Sequence, residues 1–335
     1  MKVKCLSLII IINVIVTCIS LTTGYAEEID LSTSMTGSTM DLTKSIDKVR
    51  TGIVQVSIQV RHSLEEVRNN PRLKMIENIK LGTGFFVNDD GYVATNLHVV
   101  ASWKPEMGDL KALVPAPNID DGQIFMTGGF SGFKADVVAT DAIHDLAILK
   151  LTPNPFVSRV PTLVKTSEKE IASFACSVPQ IDIARPKDGE HIASSGYPFN
   201  GKNVLVTTSG YIASSWEVET AYVEVEGAPP GFKFPQISNV YLANLTINPG
   251  NSGGPVYRAK DGVIMGVCVS QILQQAMTVD GNQVVPAIIG GKPLLYNSNV
   301  ANIIPVKYVV DLLEKNNLKV GQPDKTKTNV KKKKR

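Results

Sequence analysis

Residues 52–60 read GIVQVSIQV, with Val54, Val56, Ile58 and Val60 alternating against Gln55, Ser57 and Gln59. That period of two predicts a strand with one apolar and one polar face. The same texture recurs to about residue 300. TGFFV, YVATNLHVV, ADVVAT, LAILKL, VLVTTSGYIAS and GVIMGVCVS are β-rich runs separated by Gly, Pro, Asn and Asp. Many short strands punctuated by turn residues predict an antiparallel barrel or sandwich. No fixed-period repeat is present. Helical spacing is confined to the two ends of this region. Leu42, Ile46 and Val49 predict a short helix before the first strand. Val306, Val309, Val310 and Leu313 predict a second, opened by Pro305.

The regions between the strands are uneven. Stretches of about 101–133, 214–240 and 271–300 are long for hairpin connections, and such loops commonly carry binding or regulation. Residues 27–40, EEIDLSTSMTGSTM, are polar and read as a mobile arm. The last segment, DKTKTNVKKKKR, reads as a solvated, disordered basic tail, whose functional reading is attraction to anionic surfaces.

Composition bounds the class. A chain of 335 residues, 43% hydrophobic and 19% charged, can form one large domain or two. Its net charge of +3 is a balance of +6 in residues 324–335, +2 from Lys2 and Lys4, and −5 in the body. A mildly acidic body excludes the charge footprint of a nucleic-acid-binding domain. The start has the layout of a secretory signal: basic Met1–Lys4, apolar Cys5–Leu21, then TTGYA with cleavage after Ala26. The alternative is an uncleaved membrane anchor, for which the apolar run is slightly short. Either way the body is exported, periplasmic or extracellular. Cys176 and Cys268 then remain. They suffice for one disulfide in an oxidising compartment. Cys268 lies in an apolar run, however, and the reading favours two unpaired thiols. No His/Cys/acid cluster has ligand spacing, so no metal and no organic cofactor is called for.

The chemistry-bearing stretch is INPGNSGGPV, residues 247–256. A serine held among glycines, with backbone N–H groups nearby, suits a nucleophile beside an oxyanion hole. It requires a base and an orienting acid. The histidines are His62, His98, His144 and His191. His98, in GYVATNLHVV, is placed by the pattern at the end of an apolar strand. As a lone residue it reads first as a satisfied core histidine.

Five blocks change that reading: GTGFFVNDDGYVATNLHVV (82–100), DAIHDLAILKL (141–151), SSGYPF (194–199) with TTSGYIAS (207–214), NPGNSGGPV (248–256) and IIPVKYVVDLLEK. In this order they resemble the protease domain of the HtrA/Deg serine proteases, within the chymotrypsin-like superfamily, over about residues 45–315. The resemblance implies two six-stranded antiparallel β-barrels, with a short N-terminal and a C-terminal helix and the catalytic groups between the barrels. It implies His98 as general base, Asp145 as orienting acid and Ser252 as nucleophile. Asp136 and Asp141 are rivals, but Asp145 directly precedes the run LAILKL, and Asp141 suits a turn. The segment Gly250–Asn251–Ser252 would form the oxyanion hole, with the N–H groups of Gly250 and Ser252 as donors. Asn251 stands where the digestive relatives carry an Asp that pairs with a freshly cut N-terminus, so no such activation is expected. The pocket floor would be Thr246 and its wall the strand 266–270, with Val269 and Ser270. Without an acid or a His there, an apolar or small residue is the expected preference. The sequon NLT at 244–246 falls in the expected pocket strand and is expected to be unoccupied.

The implied organisation is a signal peptide at 1–26, an arm at 27–44, a protease domain at 45–316 and a basic tail at 317–335. Too few residues follow for the peptide-binding PDZ domain that many family members carry. The implied partners are extended or unfolded polypeptides, with a trimer as a family trait. A chaperone-like binding protein on the same fold, with little proteolysis, is the alternative. A structural β-protein that only mimics the motifs is a third reading.

Overall fold

The computed structural model describes residues 42–101, 103–115, 130–158, 176–199, 204–220, 237–280 and 283–321. The expected leader, most of the arm, the basic tail beyond 321 and the middles of the stretches 101–133 and 214–240 lie outside them.

A short helix, α1 (Leu42–Arg50), leads into β1 (Ile53–Arg61). α2 (Leu64–Asn69) follows, with a capping box in which Ser63 and Glu66 satisfy each other's backbone N–H groups. Then come β2 (Ile76–Phe86), β3 (Tyr92–Asn96), α3 (Leu97–Ala101), β4 (Asp109–Pro115), β5 (Phe130–Asp141) and β6 (Leu146–Thr152). The strands close into a barrel in the order β1-β2-β3-β6-β5-β4. The next set is β7 (His191–Gly196), β8 (Val206–Val218), β9 (Val240–Asn244), β10 (Pro255–Arg258) and β11 (Ile264–Gln275). Two small ribbons follow, β12 (Met277–Asp280) with β13 (Gln283–Pro286), and β14 (Ile288–Ile289) with β15 (Lys292–Pro293). Finally β16 (Leu295–Pro305) completes a second closed barrel, β10-β11-β16-β9-β8-β7, before α4 (Lys307–Lys315). The expected architecture, two six-stranded barrels between two helices, is the one observed. Closure removes the exposed sheet edges that such short strands would otherwise present.

Each barrel encloses its own apolar cluster. Val54, Val56, Phe86, Val93 and Leu149 fill the first, and Ile192, Ile212, Tyr241, Val256 and Ile303 the second. A third cluster joins them. It draws Ile53, Phe85 and Ile148 from the first barrel, Ala193, Tyr257 and Val267 from the second, and Val309 and Leu313 from α4.

Four local expectations are corrected. The polar face of β1 is not wet: Gln55 is 1% and Ser57 0% exposed. β1 approaches β7 of the second barrel, so protein covers its outer face too. The run YVATNLHVV is not one strand, because β3 stops at Asn96 and His98 stands on α3. Residues 271–300 are largely strand and ribbon rather than loop. Pro305 closes β16 instead of opening α4, and Leu312 joins Val309 and Leu313 on the buried stripe in place of Val310.

Cys176 and Cys268 are both free thiols. Burial pushes Cys268 up to about 12 and Cys176 up to about 11, so both are protonated and unreactive near neutrality.

Candidate active site

The end of β3 and the start of β6 are paired, Asn96 opposite Leu146. Asp145 therefore lies just outside the sheet, beside the first residues of α3. Its carbonyl accepts the Leu97 N–H at 2.9 Å and the Asn96 side-chain amide at 3.1 Å. The Asp145 side chain is 0% exposed. A carboxylate taken fully out of water needs partners for both oxygens. Oδ1 accepts the backbone N–H of His98 at 2.8 Å, and Oδ2 lies 2.6 Å from His98 Nδ1. One carboxylate thus grips both the backbone and the ring of the same residue. With Nδ1–H directed at Asp145, Nε2 is left as the ring's basic atom. Asp145 adopts φ +51°, a left-handed conformation that Asp tolerates better than most residues.

Ser252 is fixed from several sides. Its carbonyl accepts the Thr83 N–H at 2.9 Å. Gly250 at φ +100° and Gly253 at φ +83° flank it. A Cβ on Gly253 would stand 2.2 Å from the Thr83 carbonyl oxygen, so no other residue fits there without displacing backbone. The Pro249 carbonyl accepts the Phe199 N–H at 2.9 Å. In a trans peptide the N–H points opposite to the C=O, so the Gly250 N–H is turned away from Phe199. The Gly250 carbonyl is held in turn by the Thr83 hydroxyl, which donates at 2.7 Å and itself accepts the Tyr197 N–H at 2.9 Å. Among the described residues, the N–H groups of Gly250 and Ser252 have no partner. Asn251 does not join them, because its N–H donates to the Asn248 carbonyl at 3.0 Å. Its side chain is buried, with Oδ1 unpartnered among the described residues.

The Ser252 hydroxyl donates to the Val269 carbonyl at 2.9 Å. Val269 occupies a register shift in β11 between Cys268 and Ser270, where the ladder to β16 is interrupted. The bulge frees that carbonyl for the serine.

The three expected pocket residues fare differently. Val269 turns its side chain into the core shared by the two barrels, so only its carbonyl faces Ser252. Ser270 accepts the Asn302 amide at 3.1 Å. Thr246 lies beyond the end of β9, is exposed, and its carbonyl accepts the Thr208 hydroxyl at 2.8 Å. Asn244 is exposed at the end of β9, so burial does not shield the sequon. Of the rival acids, Asp136 pairs with Lys134 at 2.9 Å on the surface. Asp141 caps the β5–β6 turn as expected, but also pairs with His144. That pair, Thr83, Asn96 and Phe199 escaped the sequence reading. Only a hydroxyl inside the glycine-flanked GTGFF run hinted at Thr83.

Residues 82–267 match the family described as "Trypsin-like peptidase domain". The chain is similar to "Probable periplasmic serine endoprotease DegP-like" of Halomonas elongata, 28% identical over 191 residues, which cover 57% of this chain and 29% of that protein. It is similar to "Serine protease HTRA3" of Homo sapiens, 24% identical over 222 residues, which cover 66% of this chain and 38% of that protein. The chain thus spans roughly a third of the length of these relatives. Among solved structures it resembles a protease of M. tuberculosis in its active form, with a TM-score of 0.47 and 18% identity, covering 83% of this chain and 86% of that one. The match over more than half its length establishes that this chain belongs to the trypsin-like peptidases, with HtrA and DegP serine proteases as its relatives.

Proposed function

We propose that this chain is an exported serine endopeptidase that cuts extended or unfolded polypeptides through Ser252, His98 and Asp145. The observation that carries the reading is the two-point grip of Asp145 on His98, at 2.8 Å and 2.6 Å, beside a serine flanked by two left-handed glycines. In the reaction the Ser252 hydroxyl leaves Val269 and turns to His98. Nε2 takes its proton as Oγ attacks the peptide carbonyl carbon. Asp145 holds the imidazole in the useful tautomer and stabilises the imidazolium. The N–H groups of Gly250 and Ser252 receive the oxyanion. His98 then gives its proton to the leaving amine; water, deprotonated by His98, attacks the acyl carbon, and His98 returns that proton to Ser252 Oγ as the acyl group departs. The bond to Val269 is an ordinary hydrogen bond, worth about 1 kcal/mol net, so turning the hydroxyl adds little to the barrier.

The absence of an acid at Thr246 argues against a Lys or Arg preference, and an apolar or small residue at the cleaved position is the proposed choice. Asn251, being neutral, supports the proposal that no new N-terminus switches the enzyme on.

The Ser252–Val269 bond also favours a second reading, a chaperone-like protein on the same fold that binds unfolded chains with little turnover. One experiment separates the two. The chain and its Ser252→Ala variant are incubated with a fluorophosphonate probe and, separately, with β-casein, and fragments are mapped by mass spectrometry. Labelling and cleavage by the parent alone support the endopeptidase. Casein binding with neither labelling nor cleavage supports the second reading.

A further inference from the structure

We propose that His144 is a positioning residue for Asp145, through which α4 and the second barrel hold the acid of the catalytic set against His98. The proposal rests on the endopeptidase reading above. Its starting point is a second His–Asp pair beside the first. β5 ends at Asp141 and β6 begins at Leu146, so Asp145 is carried by a short turn. Such a turn does not fix a left-handed aspartate by itself, and a strained residue persists only where its surroundings over-determine it.

His144 supplies that determination. Asp141 Oδ1 accepts the N–H groups of Ile143 at 2.9 Å and His144 at 3.3 Å, while Oδ2 lies 2.6 Å from His144 Nδ1. The imidazole is largely buried and lies flat on the Tyr308 ring of α4, with centroids 3.6 Å apart and planes 14° apart. Asn239 presents its amide to Nε2 at 3.4 Å, and the Ser238 N–H donates to the Ile143 carbonyl at 3.2 Å. Tyr308 is anchored in turn: its hydroxyl donates to Glu217 Oε2 at 2.7 Å, and Lys307 donates to the other oxygen of the same carboxylate. The turn is thus clamped from its own residues, from the segment before β9 and from α4. His144 and Asp145 are consecutive, so a shift of one moves the other. Catalytic geometry tolerates little of that, since a displacement of about 1 Å can cost on the order of a hundredfold in rate.

The groups facing His144 are Asp141 of its own turn, Tyr308 of α4, the neutral Asn239 and, through charge, Glu217 of β8, which Lys307 pairs. His144→Ala removes both the pair and the stack. We expect kcat to fall on the order of tenfold to a hundredfold, with KM unchanged. The acid limb of kcat/KM should move to lower pH, because a loosened Asp145 stabilises the His98 imidazolium less. The downfield proton resonance of His98 Nδ1–H should broaden or vanish. His144→Asn, which places an amide donor near the former Nδ1, should restore part of kcat. Tyr308→Ala should act in the same direction, and it decides the matter if His144→Ala does not fold by circular dichroism. Wild-type kcat, acid limb and resonance in the folded variants would overturn the proposal. Failure of the endopeptidase reading looks different: the parent itself takes no fluorophosphonate label. The resonance then still reports whether His144 holds Asp145 to His98.

Discussion

At the scale of single residues, the site rests on side chains that hold one another and the backbone in place, with the Gly250 and Ser252 N–H groups left without a partner among the described residues. Asp145 carries two oxygens and both are spoken for by His98. An amide in its place keeps the shape but presents a donor where the ring needs an acceptor. Asp145→Asn should therefore lower kcat by about 10⁴-fold, as the wrong imidazole tautomer is selected, with substrate affinity retained; steady-state kinetics on a peptide substrate reads both. Thr83 is the less obvious residue. Its hydroxyl joins the Gly250 carbonyl to the Tyr197 N–H inside the protein. Thr83→Val keeps the volume and removes both bonds, at a cost of about 1–3 kcal/mol for a buried group left unpaired. The expected outcome is a lower urea midpoint together with slower fluorophosphonate labelling, since the Gly250 peptide loses its tether.

At the scale of elements, α3, the β11 bulge and α4 each place one component. α3 exists where the pattern continues a strand, because Asp145 caps its first turn through both carbonyl and carboxylate. The bulge releases the Val269 carbonyl to Ser252. α4 docks through Tyr308 and Lys307 on Glu217 of β8. Burial works to raise the Glu217 pKa, but the bonds from Lys307 and Tyr308 outweigh it and hold the carboxyl below its ordinary value. A carboxylate with a depressed folded pKa contributes stability above its unfolded pKa, about 4.3 for Glu, and loses it as pH falls through the folded value. Glu217→Gln should therefore be less stable than the parent at neutral pH, with the gap closing below about pH 4. Urea midpoints measured across that range check it.

At the scale of the whole molecule, the two barrels share one core. Phe85 and Ile148 of the first, Tyr257 and Val267 of the second, and Leu313 of α4 belong to a single buried cluster. The groups around Ser252 and His98 come from both barrels, so the site exists only while this cluster is packed. The barrels should unfold together. Leu313→Ala removes a side chain that is 0% exposed, at a cost of about 2–5 kcal/mol. The expected calorimetric trace is one transition, shifted down and undivided. Two separated transitions would show that each barrel is stable alone.

Much of this was legible in the residues. Alternating apolar positions and frequent turn residues specify short strands, because a strand's faces follow directly from its period. The five ordered blocks named the catalytic candidates, and His98 and Asp145 do stand in contact. Sequence alone did not reveal that Gln55 and Ser57 are buried, since covering of the outer face of β1 depends on where a distant barrel lies. It did not reveal that β3 ends at Asn96, because the cap that starts α3 comes from Asp145, far along the chain. Nor did it pair His144 with Asp141 and stack it on Tyr308. Local pattern reports what each residue prefers next to its neighbours. Which carbonyl accepts the hydrogen bond of the Ser252 hydroxyl, and which helix steadies the turn that carries Asp145, are contacts between remote segments, and only packing decides them.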